Sequence, residues 1–206
     1  MNRSVTIPPH GLGGTLSAPD SAQGLVVFAH GSGSSRFSPR NTYVAEALQR
    51  AGFATFLFDL LREEEAVNRR NIFNIPLLTE RLKQATQWLA RQEDVEALPL
   101  GLFGASTGAA AALVAAADAE VEVSAVVSRG GRPDLAGAAL ELVRAPTLLI
   151  VGARDTQVLA LNEAALQRLG CEKALRIVPE ATHLFEEPGT LDAVIALARA
   201  WFAAHC

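Results

Sequence analysis

The run Leu25-Val26-Val27-Phe28 is apolar at every position. A strand with one face in water alternates apolar with polar residues, so an unbroken run of this kind belongs to a strand covered on both faces. This constrains the fold more than any other stretch, because the sheet must then carry helices on both sides. The rest of the chain supplies them. Further strands are expected at 54–58, 100–103, 123–127, 147–151 and 175–178, and segments with helical spacing at 41–51, 78–90, 107–117, 133–142, 158–169 and 191–204. In the segment 78–90, Leu78, Leu82, Ala85 and Leu89 share one face, with Arg81, Lys83 and Gln84 outside it. Val5–Ile7 and Leu12–Ala18, separated by Pro8-Pro9-His10-Gly11, read as a hairpin.

Strands alternating with helices imply parallel βαβ units of right-handed connection. The predicted class is therefore α/β: a mostly parallel sheet with helices on both faces, an N-terminal antiparallel hairpin and no large cap. A chain of 206 residues, 50% of them apolar, suits one domain over 1–206.

The formal net charge of −4 provides no basic patch for nucleic acid. The first ten residues lack the apolar core of a signal peptide. The richest alanine segment is interrupted by Asp118, Glu120 and Glu122, so no membrane span is expected. Two cysteines, Cys171 and Cys206, make neither a disulfide framework nor a metal cluster. The expectation is a soluble, cytoplasmic protein with free thiols.

Gly104-Ala105-Ser106-Thr107-Gly108 is a GxSxG pentapeptide between a strand and an alanine-rich helix. A serine in such a turn takes a strained backbone that lifts its hydroxyl above the sheet, and the flanking positions call for glycine. The pattern arises by chance in roughly one chain in fifteen of this length, so its surroundings must carry the weight. In an open parallel sheet, ligands bind at the carboxyl ends of the strands. Those ends read His30-Gly31-Ser32-Gly33, Asp59, Ser106, Arg129, Asp155 and His183. A serine nucleophile needs a base, and the base needs an acceptor to fix its tautomer. Ser106, Asp155 and His183 stand in that chain order.

Serine, then acid, then histidine along alternating βα units, with an HGxG loop after the third strand, resembles the α/β-hydrolase fold, and the small size resembles its dienelactone-hydrolase-like branch. The resemblance covers the chain from Gly24 onward. It departs from dienelactone hydrolase itself at the nucleophile, a cysteine in that enzyme and Ser106 here, so it carries ester hydrolysis in general and not dienelactone as the substrate. It implies attack by Ser106, proton transfer to His183, support of the imidazolium by Asp155, and an oxyanion hole from the backbone N–H groups of Ser32 and Thr107. The substrates expected are small or moderately sized soluble esters or lactones, with no metal or organic cofactor.

Each residue has a plainer reading. Ser106 fits a tight turn as a small residue, Asp155 could cap the following helix with Asp134 as the substitute acid, and His183 could be a packed loop histidine. His30 reads as structural. Arg129 could bind a substrate carboxylate or hold a loop carboxylate such as Asp134 or one of Glu63 to Glu65. The charged stretch Arg62–Arg70 either borders the pocket or is simply solvated. At the level of function, a thioesterase or acyltransferase would use the same triad, and a non-catalytic binding protein could keep the same fold.

Overall fold

The computed structural model describes residues 2–206. The N-terminal hairpin forms from β1 (Asn2–Ile7) and β2 (Leu12–Ser17), paired antiparallel. β3 (Leu25–Ala29) is buried at every position, as its unbroken apolar run requires. α1 (Pro39–Arg50) follows, then β4 (Ala54–Phe58). α1 starts two residues earlier than helical spacing indicated, because the Ser38 hydroxyl caps it by accepting from the Asn41 N–H and Pro39 fits its first turn.

Two short helices, α2 (Glu63–Ala66) and α3 (Arg69–Ile72), occupy the charged stretch after β4, to which sequence reasoning assigned no element. α4 (Ile75–Leu89) begins at an Asn74 cap. Arg81 of α4 is not on its solvent side: it is buried and pairs with Glu65 of α2 at 3.0 Å. That pair ties the short helices to the body of the fold, which is why a charged side chain sits among apolar neighbours.

β5 (Leu100–Ala105) leads through Ser106 into α5 (Thr107–Ala116), whose alanines are buried all round. A helix apolar on every side packs against both the sheet and its flanking helices. β6 (Ala125–Arg129) lies two residues later than expected, and a 3-10 stretch, Pro133–Leu142, kinks at Gly137. The chain closes with β7 (Thr147–Gly152), α6 (Thr156–Arg168), β8 (Lys173–Val178) and α7 (Thr190–His205).

The sheet order is β1-β2-β4-β3-β5-β6-β7-β8, parallel from β4 to β8. One core lies between the sheet and α4, α5 and α6, and includes Leu78, Leu82, Leu113 and Leu149. The other lies under α1 and α7, and includes Val44, Phe53, Phe103 and Phe202. Registers align the carboxyl ends: Ala29 lies beside Gly104, Ala105 beside Arg129, and Gly152 beside Val178. Every strand-end residue singled out in the sequence therefore reaches one rim of the sheet. Among the described residues, no helix is long and apolar enough to cross a membrane. Cys171 and Cys206 are free thiols, and burial pushes Cys206 up to about 11.

Candidate active site

Ser106 sits between β5 and α5 at φ 50°, ψ −121°. With Glu180 and Phe185, it is one of three non-glycine residues with positive φ among those described. Such conformations cost about 1–3 kcal/mol each and gather at functional sites; here two of the three flank His183. The neighbouring glycines are enforced by close approach. A Cβ on Gly104 would lie 2.4 Å from the Cα of Ala109, and one on Gly108 would lie 2.1 Å from the carbonyl oxygen of Ala29. The serine turn is thus pressed against the end of β3, where the His30–Ser35 loop begins.

Backbone bonds fix the turn from its other side. The Ser106 N–H donates to the Arg129 carbonyl at 3.3 Å, and the Ser106 carbonyl accepts from the Arg132 N–H at 3.0 Å. Between these contacts, Gly130 faces the histidine loop: a Cβ on it would lie 3.6 Å from His183 Cε1. One segment, 129–132, therefore contacts both the serine turn and the His183 loop.

Asp155 precedes the first residue of α6, yet its side chain makes no capping bond. Its Oδ2 instead lies 2.6 Å from His183 Nδ1. This geometry has Nδ1–H donating to the carboxylate, which fixes the tautomer and leaves Nε2 as the basic nitrogen. The two loops are stitched together by Arg154 N–H to the Ala181 carbonyl at 2.9 Å and by Ala153 N–H to the Val178 carbonyl at 2.9 Å. Asp134, the substitute acid, is engaged elsewhere, accepting from Arg132 Nε at 2.8 Å and Nη2 at 2.7 Å.

The glycine- and serine-rich loop is held by His30. Its Nδ1–H donates to the Gly31 carbonyl at 3.0 Å, and its Nε2 accepts from the Leu60 N–H at 3.1 Å. Burial holds the imidazole below its ordinary pKa, although the Gly31 bond and nearby Asp59 favour the charged form. The neutral ring is the form that can donate at one nitrogen and accept at the other. Asp59 braces the same loop through the Arg36 N–H at 2.8 Å and the Arg36 guanidinium.

A cleft of ≈ 940 Å³ opens beside this loop, with Ser32 and Thr107 in its wall. The Thr107 hydroxyl is buried without a partner. The far wall holds Leu61 and Ile72, which sequence reasoning missed, together with Arg62, Glu63 and Glu64, so the charged stretch borders the cleft, one of the two readings open to it. The signal available was the pair of apolar residues bracketing that stretch.

Arg129 is buried at the end of β6, and its Nη2 donates to Asn41 Oδ1 at 3.4 Å. It does not hold a loop carboxylate: Asp134 is paired with Arg132, Glu64 with Arg62, and Glu65 with Arg81 and Arg62.

A serine turn after the fifth strand, an Asp–His pair on the loops after β7 and β8 and a mostly parallel sheet define an α/β-hydrolase. The chain belongs to that family: the family profile described as alpha/beta hydrolase domain matches residues 22–195. It is of the dienelactone-hydrolase-like kind, being 56% identical to a dienelactone hydrolase from Anabaena variabilis, with a TM-score of 0.94 over 100% of this chain and 97% of that one. The esterase domain of a Rhodothermus marinus protein shares the fold at 21% identity and a TM-score of 0.77, with 98% of this chain and 97% of that one covered. A Mycobacterium tuberculosis protein, provisionally named a phosphoribosyl transferase, is 61% identical over 98% of this chain. The match takes in 45% of that relative, so the chain spans about half its length.

Proposed function

We propose that this chain is a serine hydrolase that cleaves small or moderately sized carboxylic esters or lactones through an acyl-enzyme on Ser106. The observation that carries the reading is the 2.6 Å bond from His183 Nδ1 to Asp155, which leaves Nε2 as a base on the rim where the strained serine turn lies. His183 Nε2 takes the Ser106 proton as Oγ attacks the carbonyl, and Asp155 supports the imidazolium that forms. The backbone N–H groups of Ser32 and Thr107 receive the developing oxyanion, each contributing about 3 kcal/mol in the transition state. The imidazolium then protonates the leaving alcohol, and water attacks the acyl-enzyme by the same route in reverse. A cleft of ≈ 940 Å³ lies toward the upper end of the range of small-molecule sites, in keeping with substrates of this size. Two free thiols support a reducing, cytoplasmic setting.

The transferase name of the curated relatives belongs to proteins about twice as long. We assign that name to the portion of them outside this match, and accordingly expect no turnover of 5-phosphoribosyl 1-diphosphate by this chain. Hydrolysis of p-nitrophenyl esters by wild type and Ser106→Ala tests the main reading. Turnover should fall by on the order of 10⁴-fold or more with an unchanged melting temperature. Substantial activity in the variant would show that the nucleophile lies elsewhere.

A further inference from the structure

The middle of α6 buries an amide that packing does not call for. Of the buried residues of this helix, Val158 and Ala165 are apolar and Asn162 is polar, although it is fully enclosed. Its Nδ2 donates to the Gly131 carbonyl at 3.0 Å and to the Val158 carbonyl at 2.8 Å. Two carbonyl oxygens need a donor, so the amide cannot be turned over. Its Oδ1 is thereby left without a partner among the described residues.

An asparagine inside a helix competes with the helix for its own backbone, and an orphaned buried acceptor costs further stability. A leucine of similar volume carries neither penalty. The bond to Val158 lies within α6 and joins nothing else to it. What remains is the bond to Gly131, the contact that a leucine cannot make.

Gly131 lies where the catalytic parts meet. A Cβ on it would stand 2.0 Å from Ser128 Oγ and 2.7 Å from the Ala109 Cβ, so its turn is pressed onto β6 and onto the helix that follows Ser106. The residues beside it, Arg129 and Arg132, hold the N–H and the carbonyl of Ser106. Gly130 faces the base: a Cβ there would lie 3.2 Å from the His183 carbonyl oxygen and 3.6 Å from Cε1. Asp155 immediately precedes α6. Asn162 thus ties the helix that follows the acid to the turn that contacts both the serine and the histidine.

We infer that Asn162 is a positioning residue: its amide latches the Gly131 carbonyl and so fixes the Ser106 turn against the His183 imidazole. In its bearing on catalysis the inference rests on the serine-hydrolase reading. Asn162→Leu removes one orphan acceptor, Oδ1, and creates another, the Gly131 carbonyl, so the melting temperature should change little. The released turn shifts, and a misplacement of about 1 Å costs on the order of 10²-fold in rate.

Hydrolysis of p-nitrophenyl acetate by Asn162→Leu is compared with that by Phe202→Leu, a core change at the opposite end of β5, where the ring packs on Gly101. The expected result is a kcat about 10- to 100-fold below wild type with an unchanged KM in Asn162→Leu. Phe202→Leu should keep the wild-type kcat despite a larger fall in melting temperature. A wild-type kcat in Asn162→Leu, a loss confined to KM, or an equal loss in both variants overturns the latch. A second readout needs no turnover. The proton resonance on His183 Cε1, identified by its absence from His183→Ala, should move in Asn162→Leu and stay in place in Phe202→Leu. If wild type neither hydrolyses the ester nor takes a fluorophosphonate on Ser106, the hydrolase reading falls and this resonance decides the latch: displaced, it stands; unmoved, it is overturned. If Asn162→Leu does not fold, Asn162→Ser carries the same comparisons, because its hydroxyl ends where the Asn162 Cγ stands, short of Gly131.

Discussion

Gly108→Ala should be among the most damaging single-methyl additions in this chain. The added Cβ would lie 2.1 Å from the Ala29 carbonyl oxygen and 2.5 Å from that of His30, whereas ordinary contact begins at 3.4 Å. Both obstacles are backbone, and β3 is fixed by parallel pairing to β4 and β5 on either side. Relief of about 1.3 Å can come only by lifting the start of α5 off the sheet, which opens the packing of Ala109 to Ala112. Overpacking costs about 1–3 kcal/mol, and a rigid obstacle puts this site at or above the top of that range. For a chain of this length, about 3 kcal/mol lowers Tm by roughly 6–12 °C. The His30 carbonyl begins the loop that holds Ser32, so turnover should also fall by about 10²–10³, the effect of misplacing one oxyanion donor. Gly170→Ala is the control. Its Cβ would meet only the Glu141 carbonyl oxygen at 3.9 Å, and its φ is not positive, so it should be neutral or stabilise by up to about 1 kcal/mol. Thermal melts followed by circular dichroism, with p-nitrophenyl acetate turnover on the same preparations, make the comparison. A Gly108→Ala protein that melts within 2 °C of wild type (about 0.5–1 kcal/mol) and retains full turnover would refute the close crossing of α5 and β3.

Other outcomes follow from the same geometry. Asp155→Asn should reduce kcat by about 10⁴-fold through the wrong imidazole tautomer, whereas Asp134→Asn, which only loosens a pair with Arg132, should change it by no more than a few-fold; kinetics of both variants on one ester decide the acid. Arg81→Ala leaves Glu65 without its buried partner and should destabilise by an amount near the lower end of about 3–5 kcal/mol, read from urea midpoints, because Arg62 still reaches Glu65. His30 has a folded-state pKa below the ordinary histidine value, so the unfolded chain binds the extra proton. Its contribution is therefore fully present above about pH 6.5 and is lost as pH falls toward the folded value, by up to about 1.4 kcal/mol per pH unit. Urea midpoints from pH 5 to 8 should show this slope in wild type and a shallower one in His30→Asn.

Much of this was legible in the sequence because the informative signals are local. Continuous apolar runs located β3, β4, β5 and β7, and the positions of Ser106, Asp155 and His183 just after predicted strands of a parallel sheet put them on one rim. Helix starts were less legible: α1 and α4 begin at Ser38 and Asn74 caps, two or three residues ahead of the first convincing apolar period. The charged stretch after β4 was read as either a pocket border or a solvated face, and a different reason kept the sequence from deciding between them. Its carboxylates are partly consumed by arginines from the same stretch and by Arg81 on α4, and a tertiary pairing of that kind leaves no periodic trace. Arg129 was visible as a strand-end cation, but its lack of a carboxylate partner depends on where Asp134 and Glu65 point, which only the folded chain decides.

The central claim is that Ser106 is a nucleophile activated by His183. The most direct measurement is the intact mass, and then the peptide map, of the folded protein after exposure to a fluorophosphonate probe between about pH 6 and 9. One adduct on Ser106, absent from Ser106→Ala and strongly slowed in His183→Ala, is the predicted result. A folded wild-type protein that stays unmodified across that range, or carries the adduct on another residue, would contradict it.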